Sequence, residues 1–136
     1  MLDPSEIANG GELAAVKVLI IEDNRDGADS LRDALALFGH RVAVAYDGAE
    51  GLSIAQSFAP DVVICDIGLP DFDGYHVART LRTQRALCRA TLVALTGYGL
   101  PEDRMTAKEA GFDAHMTKPA DLEQLQSLLS RVQLAR

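Results

Sequence analysis

Five residues of this sequence carry most of the chemistry it can perform. Glu22 and Asp23 come just after the apolar run Lys17–Ile21, and Asp66 comes after Asp61–Cys65. Thr96 comes after Thr91–Leu95, and Lys118 lies just past Phe112–Met116. Carboxylates brought together repel one another and raise each other's pKa, which a protein tolerates where a cation resolves the conflict. No His or Cys stands just past these runs, so the donors are oxygens. Such a set suits a hard ion such as Mg²⁺, held by one or two carboxylates, waters and phosphate oxygens. Lys118 adds a mobile positive charge for a phosphate oxygen, Thr96 adds a short hydroxyl, and Gly97 leaves room for a bulky anion near the backbone. Taken singly, an acid after a strand often only caps the next helix, and Asp23 or Asn24 can do that here. Taken together, the residues suit phosphoryl transfer.

The segments that position them alternate in type almost without spacers. Lys17–Ile21, Asp61–Cys65 and Thr91–Leu95 are continuous apolar runs, the pattern of parallel strands buried on both faces. Arg41–Ala45 and Phe112–Met116 are more polar, as strands at a sheet edge tend to be. Between them, Ala28, Leu31, Leu35 and Phe38 repeat at helical spacing until Gly39. Asp47 is placed to cap a second helix that ends before Pro60. Tyr75, Ala78 and Leu81 mark a third helix, Pro101 opens a fourth that ends at Gly111, and Leu122, Leu125, Leu128, Leu129 and Val132 form the stripe of a fifth. Five β-α units in strict alternation predict an α/β, doubly wound, five-stranded parallel sheet with right-handed crossovers. The ligand site of such a sheet lies at the carboxyl ends of its strands, where the five residues fall.

Length and composition narrow the class. The 136 residues suit one domain, and 48% apolar content suits a packed core. Residues 1–15 hold Asp3-Pro4 and Gly10-Gly11 without a sustained period, so they read as a flexible leader, with the domain at 16–133 and a tail at 134–136. Cys65 and Cys88 have no paired spacing and are expected to be reduced, with Cys65 a small core residue. A formal charge of −7 with scattered arginines argues against nucleic acid as a partner. The absence of a long apolar run or cationic leader argues against a membrane and makes the cytoplasm the default location.

The stretches VLIIEDN, VVICDIGLPDFDGYHVAR, LVALTGYG and GFDAHMTKP closely resemble response-regulator receiver domains of two-component signalling, from about Val16 to Val132. That resemblance implies a flavodoxin-like (βα)5 fold with strand order 2-1-3-4-5. It implies Asp66 as phospho-acceptor, with Glu22, Asp23, Asp66 and the backbone carbonyl of Gly68 as Mg²⁺ ligands. Thr96 and Lys118 would bind the phosphoryl group, and Pro119 matches a proline that follows a cis peptide at the lysine. The implied donor is a phosphohistidine on a histidine kinase or a histidine phosphotransfer protein, and the same site would release phosphate to water. Catalysis then extends only to the domain's own phosphorylation and dephosphorylation.

The sequence departs from that pattern at His115, where the family usually has Tyr or Phe that rotates inward as the threonine moves. The imidazole is either a half-exposed edge residue or a switch partner of Thr96. Gly68 and Tyr98 occupy positions that flank the phosphate's path to solvent. His40 and His76 read as helix-end or surface residues. An aspartyl phosphatase would carry a second acid at Gly68. A flavodoxin-type nucleotide site is disfavoured by the acidic turn Glu22–Arg25, and a degenerate receiver by the intact five residues. No output domain is expected after Val132, which leaves a downstream protein partner, or a homodimer through the fourth helix, fifth strand and fifth helix. The stretches Asp71–Tyr75 and Gly111–His115 resemble receivers attached to hybrid histidine kinases.

Overall fold

The computed structural model describes residues 15–97 and 101–135. The expected leader, apart from residue 15, lies outside the described residues, and so does Tyr98. Strands and helices alternate as β1 (Lys17–Ile21), α1 (Arg25–Leu37), β2 (Arg41–Ala45), α2 (Gly48–Phe58), β3 (Val62–Asp66), α3 (Gly74–Thr83), β4 (Thr91–Thr96), α4 (Pro101–Ala110), β5 (Ala114–Thr117) and α5 (Leu122–Leu134). The strands form one parallel sheet in the order β2-β1-β3-β4-β5. Both the fold class and the strand order agree with the expectation from sequence.

Successive strand residues point to opposite faces, and the apolar runs feed two cores. Leu19, Ile21, Val63, Cys65, Leu92 and Ala94 pack with Ala55, Val77, Leu81 and Ala107 on the face covered by α2, α3 and α4. Val18, Ile20, Val62, Ile64, Val93 and Leu95 pack with Ala28, Leu35, Leu125 and Leu129 on the face covered by α1 and α5. The central β3 is buried at every position, whereas edge strand β2 is mostly half-buried. Four helices start at a side chain that accepts from their own first turn: Asn24, Asp47, Asp73 and Asp121.

Several boundaries and environments differ from the sequence reading. β3 runs one residue later than expected, so Asp66 ends the strand rather than following it. β5 begins at Ala114, because the Phe112 N–H turns back to the Ala107 carbonyl at 3.0 Å and its ring enters the core. Phe38 is not part of the buried stripe of α1. Its N–H bonds the Leu35 carbonyl, three residues back, which takes Phe38 off the helical progression and leaves it half-exposed.

His40 is a correction of a different kind. It is no surface residue: it is 6% exposed, while His76 is exposed as expected. The turn Phe38–Gly39 folds the ring of His40 under α5, where Nε2 pairs with Gln126 Oε1 at 3.4 Å. Its Nδ1 has no hydrogen-bond partner among the described residues. Burial depresses the His40 pKa below the ordinary 6.5, and the Gln126 contact opposes that only in part. The unfolded chain therefore binds the proton first as pH falls. Stability contributed by the neutral ring is present above 6.5 and is lost as pH drops toward the depressed value, at about 1.4 kcal/mol per unit of depression. Urea unfolding at pH 7 and pH 5 should show a larger loss for the parent than for His40→Leu. Equal losses would mean that the ring takes up its proton in the fold as it does in the unfolded chain.

Candidate functional site

β1 and β3 are neighbours in the sheet, so their carboxyl ends deliver acids side by side. The ladder continues past β1, with the Glu22 N–H donating to the Ala45 carbonyl at 3.0 Å, which leaves Glu22 only 6% exposed. Its Oε2 accepts from the Asn24 N–H at 3.0 Å. Asn24, rather than Asp23, caps α1 by accepting from the Gly27 N–H, so Asp23 is exposed and projects beside the site. Asp66 is 5% exposed, and its Oδ1 accepts from the Gly68 N–H at 3.0 Å. One oxygen from each of Glu22, Asp23 and Asp66 lies within 4.8 Å of the others.

Lys118 reaches this cluster from beyond β5. Its N–H donates to the Thr96 carbonyl at 2.7 Å, and the Lys118–Pro119 peptide is cis. Its Nζ sits 2.9 Å from Asp66 Oδ2 and 3.0 Å from Glu22 Oε1. Thr96 ends β4 next to Asp66's strand, with its Oγ1 3.2 Å from His115 Nε2. Thus Lys118 bridges Glu22 and Asp66, Asp23 brings an oxygen within 4.8 Å of both acids, Gly68 touches Asp66 through its amide, and Thr96 and His115 form an adjoining pair. A cleft of about 470 Å³ opens beside Lys118 and Glu22, floored by Ala28, Leu31 and Ala34 of α1.

The electrostatics separate the two buried acids. Burial pushes the Asp66 pKa up, but the Lys118 ammonium and the Gly68 N–H outweigh it and hold the carboxyl below 3.8. Burial raises Glu22 above 4.5, helped by Asp66, and the Asn24 N–H and Lys118 only partly offset it. Burial opposes the charge on Lys118, yet hydrogen bonds to Asp66 and Glu22 lift its pKa above 10.5. The two acids therefore pull stability in opposite directions. The Asp66 contribution is present above the ordinary carboxylate range and lost as pH falls through its depressed value. Glu22 favours the fold while protonated, and that preference fades as pH rises through its raised value.

Three carboxylates and no nitrogen or sulfur donor suit a small hard cation such as Mg²⁺ in chemical type. One residue near the site escaped the sequence reading. Asp71 accepts from the Gly48 and Ala49 N–H groups, and the only signal for it was that the first amides of any helix need acceptors. The charge balance at the cluster has a direct check. Lys118→Ala leaves Asp66 beside Glu22 without the ammonium, so its pKa should move upward in a carboxyl ¹³C titration. A value that stays depressed would assign the effect to the Gly68 amide instead.

Among the described residues no helix is long and apolar enough to cross a membrane. The response regulator receiver domain model matches residues 18–130. The response regulator MprA of Mycobacterium ulcerans is 33% identical over 124 residues, covering 88% of this chain and 53% of the relative. This chain spans about half the length of the curated response regulators of that name. Among solved structures, the chemotaxis response regulator CheY4 of Vibrio cholerae superposes with a TM-score of 0.81 at 29% identity, covering 88% of this chain and 99% of that one. The receiver domain of sensor histidine kinase PA1611 from Pseudomonas aeruginosa, which has a magnesium ion coordinated in its active-site cleft, gives 0.79 at 31%, covering 88% and 98%. The chain belongs to the response regulator receiver domain family of two-component signalling.

Proposed function

We propose that Asp66 is the phospho-acceptor of a receiver spanning residues 16–133. The observation that carries this is the state of Asp66: buried, yet held ionised by Lys118 and the Gly68 amide. A carboxylate that stays charged at neutral pH needs no base to act as nucleophile. In the transfer, the P–N bond of a phosphohistidine breaks, a P–O bond to the Asp66 carboxylate forms, and the donor imidazole leaves with the electron pair. The donor is a histidine kinase or histidine phosphotransfer protein.

Glu22, Asp23, Asp66 and the Gly68 carbonyl are the proposed ligands of Mg²⁺. When bound, that ion neutralises charge on the phosphoryl oxygens. The chain's own residues orient the acceptor and balance its charge. Lys118 moves from bridging two acids to pairing with a phosphoryl oxygen, and the Thr96 hydroxyl donates to another. Release of phosphate to water at the same centre completes the cycle.

Thr96 and His115 are the proposed switch. Burial, chiefly, and Arg104 depress the His115 pKa below 6.5 against the pull of Asp103, so a neutral ring faces Thr96 near neutral pH. A phosphoryl group that draws Thr96 toward Asp66 breaks this pairing and alters β5 together with α4 and α5. That face is the proposed surface for a downstream protein or a second copy. The phosphoryl group supplies the differential contact that a population shift requires.

Labelling with radioactive acetyl phosphate in Mg²⁺ should mark the parent and fail for Asp66→Asn. Asp23→Ala should weaken both Mg²⁺ binding and labelling, and full labelling of Asp66→Asn would sink the acceptor assignment. His115 is tested separately by NMR. Its pKa should differ between free and beryllofluoride-treated protein, and His115→Ala should leave Asp66 labelling intact while weakening the partner response. The same His115 pKa in both states would remove it from the switch.

A further inference from the structure

The loop after β3 carries Gly68 and is closed on itself. The Ile67 N–H donates to the Leu95 carbonyl at 3.1 Å, and the Gly74 N–H donates to the Ile67 carbonyl at 2.8 Å. The ends of the loop are pressed together so closely that a Cβ on Gly74 would stand 2.7 Å from the Asp66 carbonyl oxygen and 2.8 Å from Ile67 Cα. With both ends tied at one point, the orientation of the Gly68 peptide depends on how the far side of the ring is held.

That far side is held by Asp71. Its Oδ1 accepts from the Gly48 N–H at 2.8 Å and its Oδ2 from the Ala49 N–H at 2.9 Å. These are first-turn amides of α2, which have no partner within the helix and lie at its positive end. The cap Asp47 serves a different amide, that of Glu50, at 2.8 Å. Phe72 packs on the same helix end, where a Cβ on Gly48 would meet its ring at 2.6 Å. Both oxygens of the Asp71 carboxylate are thereby engaged by α2 amides. Burial works against ionisation of Asp71, but the Ala49 and Gly48 amides prevail and hold its pKa below 3.8.

We propose that Asp71 is a positioning residue for the acceptor site, clamping the β3–α3 loop onto α2 so that Gly68 is held at the geometry Mg²⁺ needs. The inference rests on the reading of Asp66 and Gly68 given above. Asp71 touches neither ion nor phosphoryl group; it acts through the closed loop.

Mg²⁺ titration by calorimetry, with the Gly68 amide NMR shift and acetyl phosphate labelling as parallel readouts, tests it on four proteins. Asp71→Ala removes both acceptors, and Asp71→Asn keeps one acceptor oxygen. Asp47→Ala weakens the same helix end without touching the loop. The parent sets the scale. Asp71→Ala should raise half-saturating Mg²⁺ by about 10-fold or more, as loss of supporting partners around a metal typically does. Its Gly68 amide should shift, and labelling should recover toward the parent rate at saturating Mg²⁺. Asp71→Asn should fall between, and it carries the test if Asp71→Ala fails to fold. Asp47→Ala should melt earlier yet bind Mg²⁺ like the parent. Unchanged Mg²⁺ affinity in both Asp71 variants overturns the proposal, and so does an equal loss in Asp47→Ala. A parent that neither binds Mg²⁺ nor labels overturns the reading of Asp66 itself and this inference with it.

Discussion

Three carboxylates with oxygens within 4.8 Å of one another impose the condition that the rest of this domain has to meet. Left alone, they would be pushed toward protonation, and a protonated Asp66 is no nucleophile. The one side chain that meets Asp66 and Glu22 with positive charge, among the described residues, is Lys118. It begins two strands away from Asp66, at a separation of roughly 10 Å across β4. A flexible four-carbon stem covers that span where a short or rigid side chain would not. The Lys118 N–H on the Thr96 carbonyl fixes where the stem starts, so the strand between the two charges also sets the reach of the cation.

Compensation by one ammonium is deliberately uneven in its effect. Asp66 has Lys118 and the Gly68 amide, and it stays below the ordinary carboxylate range. Glu22 has the same ammonium and the Asn24 amide, and it still ends above that range because burial dominates. Of the two buried acids, Glu22 is therefore the one that yields its charge first, while Asp23 stands exposed beside them.

The fold was legible because its signal is redundant: three doubly buried strands read as unbroken apolar runs, and polar caps or glycines punctuate each helix. The five chemical residues were legible for the same reason, since each lies at or just past the end of such a run. What escaped depends on contacts remote in sequence. His40 looks like a helix-end residue, and only the packing of α5 over it, 86 positions away, makes it a core histidine. Phe112 reads as strand because it is aromatic and precedes one, but its amide belongs to the end of α4. Asp71 shows in the sequence only as part of the Asp71–Tyr75 resemblance, and its acceptor role appears only when α2 is brought beside the loop. Whether Asp23 or Asn24 caps α1 was open in the sequence because both types serve equally well, and side-chain direction decides it.

The two ends of the sheet are built on opposite principles, and this bears on where a signal can travel. At the amino end, charge is dispersed onto backbone. Half-buried Arg82 donates to the Gly111, Cys88 and Ala90 carbonyls and to Asp113, while Asp113 also accepts from the Leu92 N–H. Asp61 likewise accepts from the Lys17 N–H. Such a bonded end resists displacement, because moving β1 or β4 there breaks several partly buried hydrogen bonds. At the carboxyl end the strands are not equally fixed. β1, β3 and β4 each have a ladder on both sides, whereas β5 has one neighbour and is only partly covered. The sheet has two edge strands, β2 and β5, and β5 is the one paired with β4. Thr96 and His115 stand at that boundary, 3.2 Å apart. The proposed switch would act on a strand that has no second ladder to break.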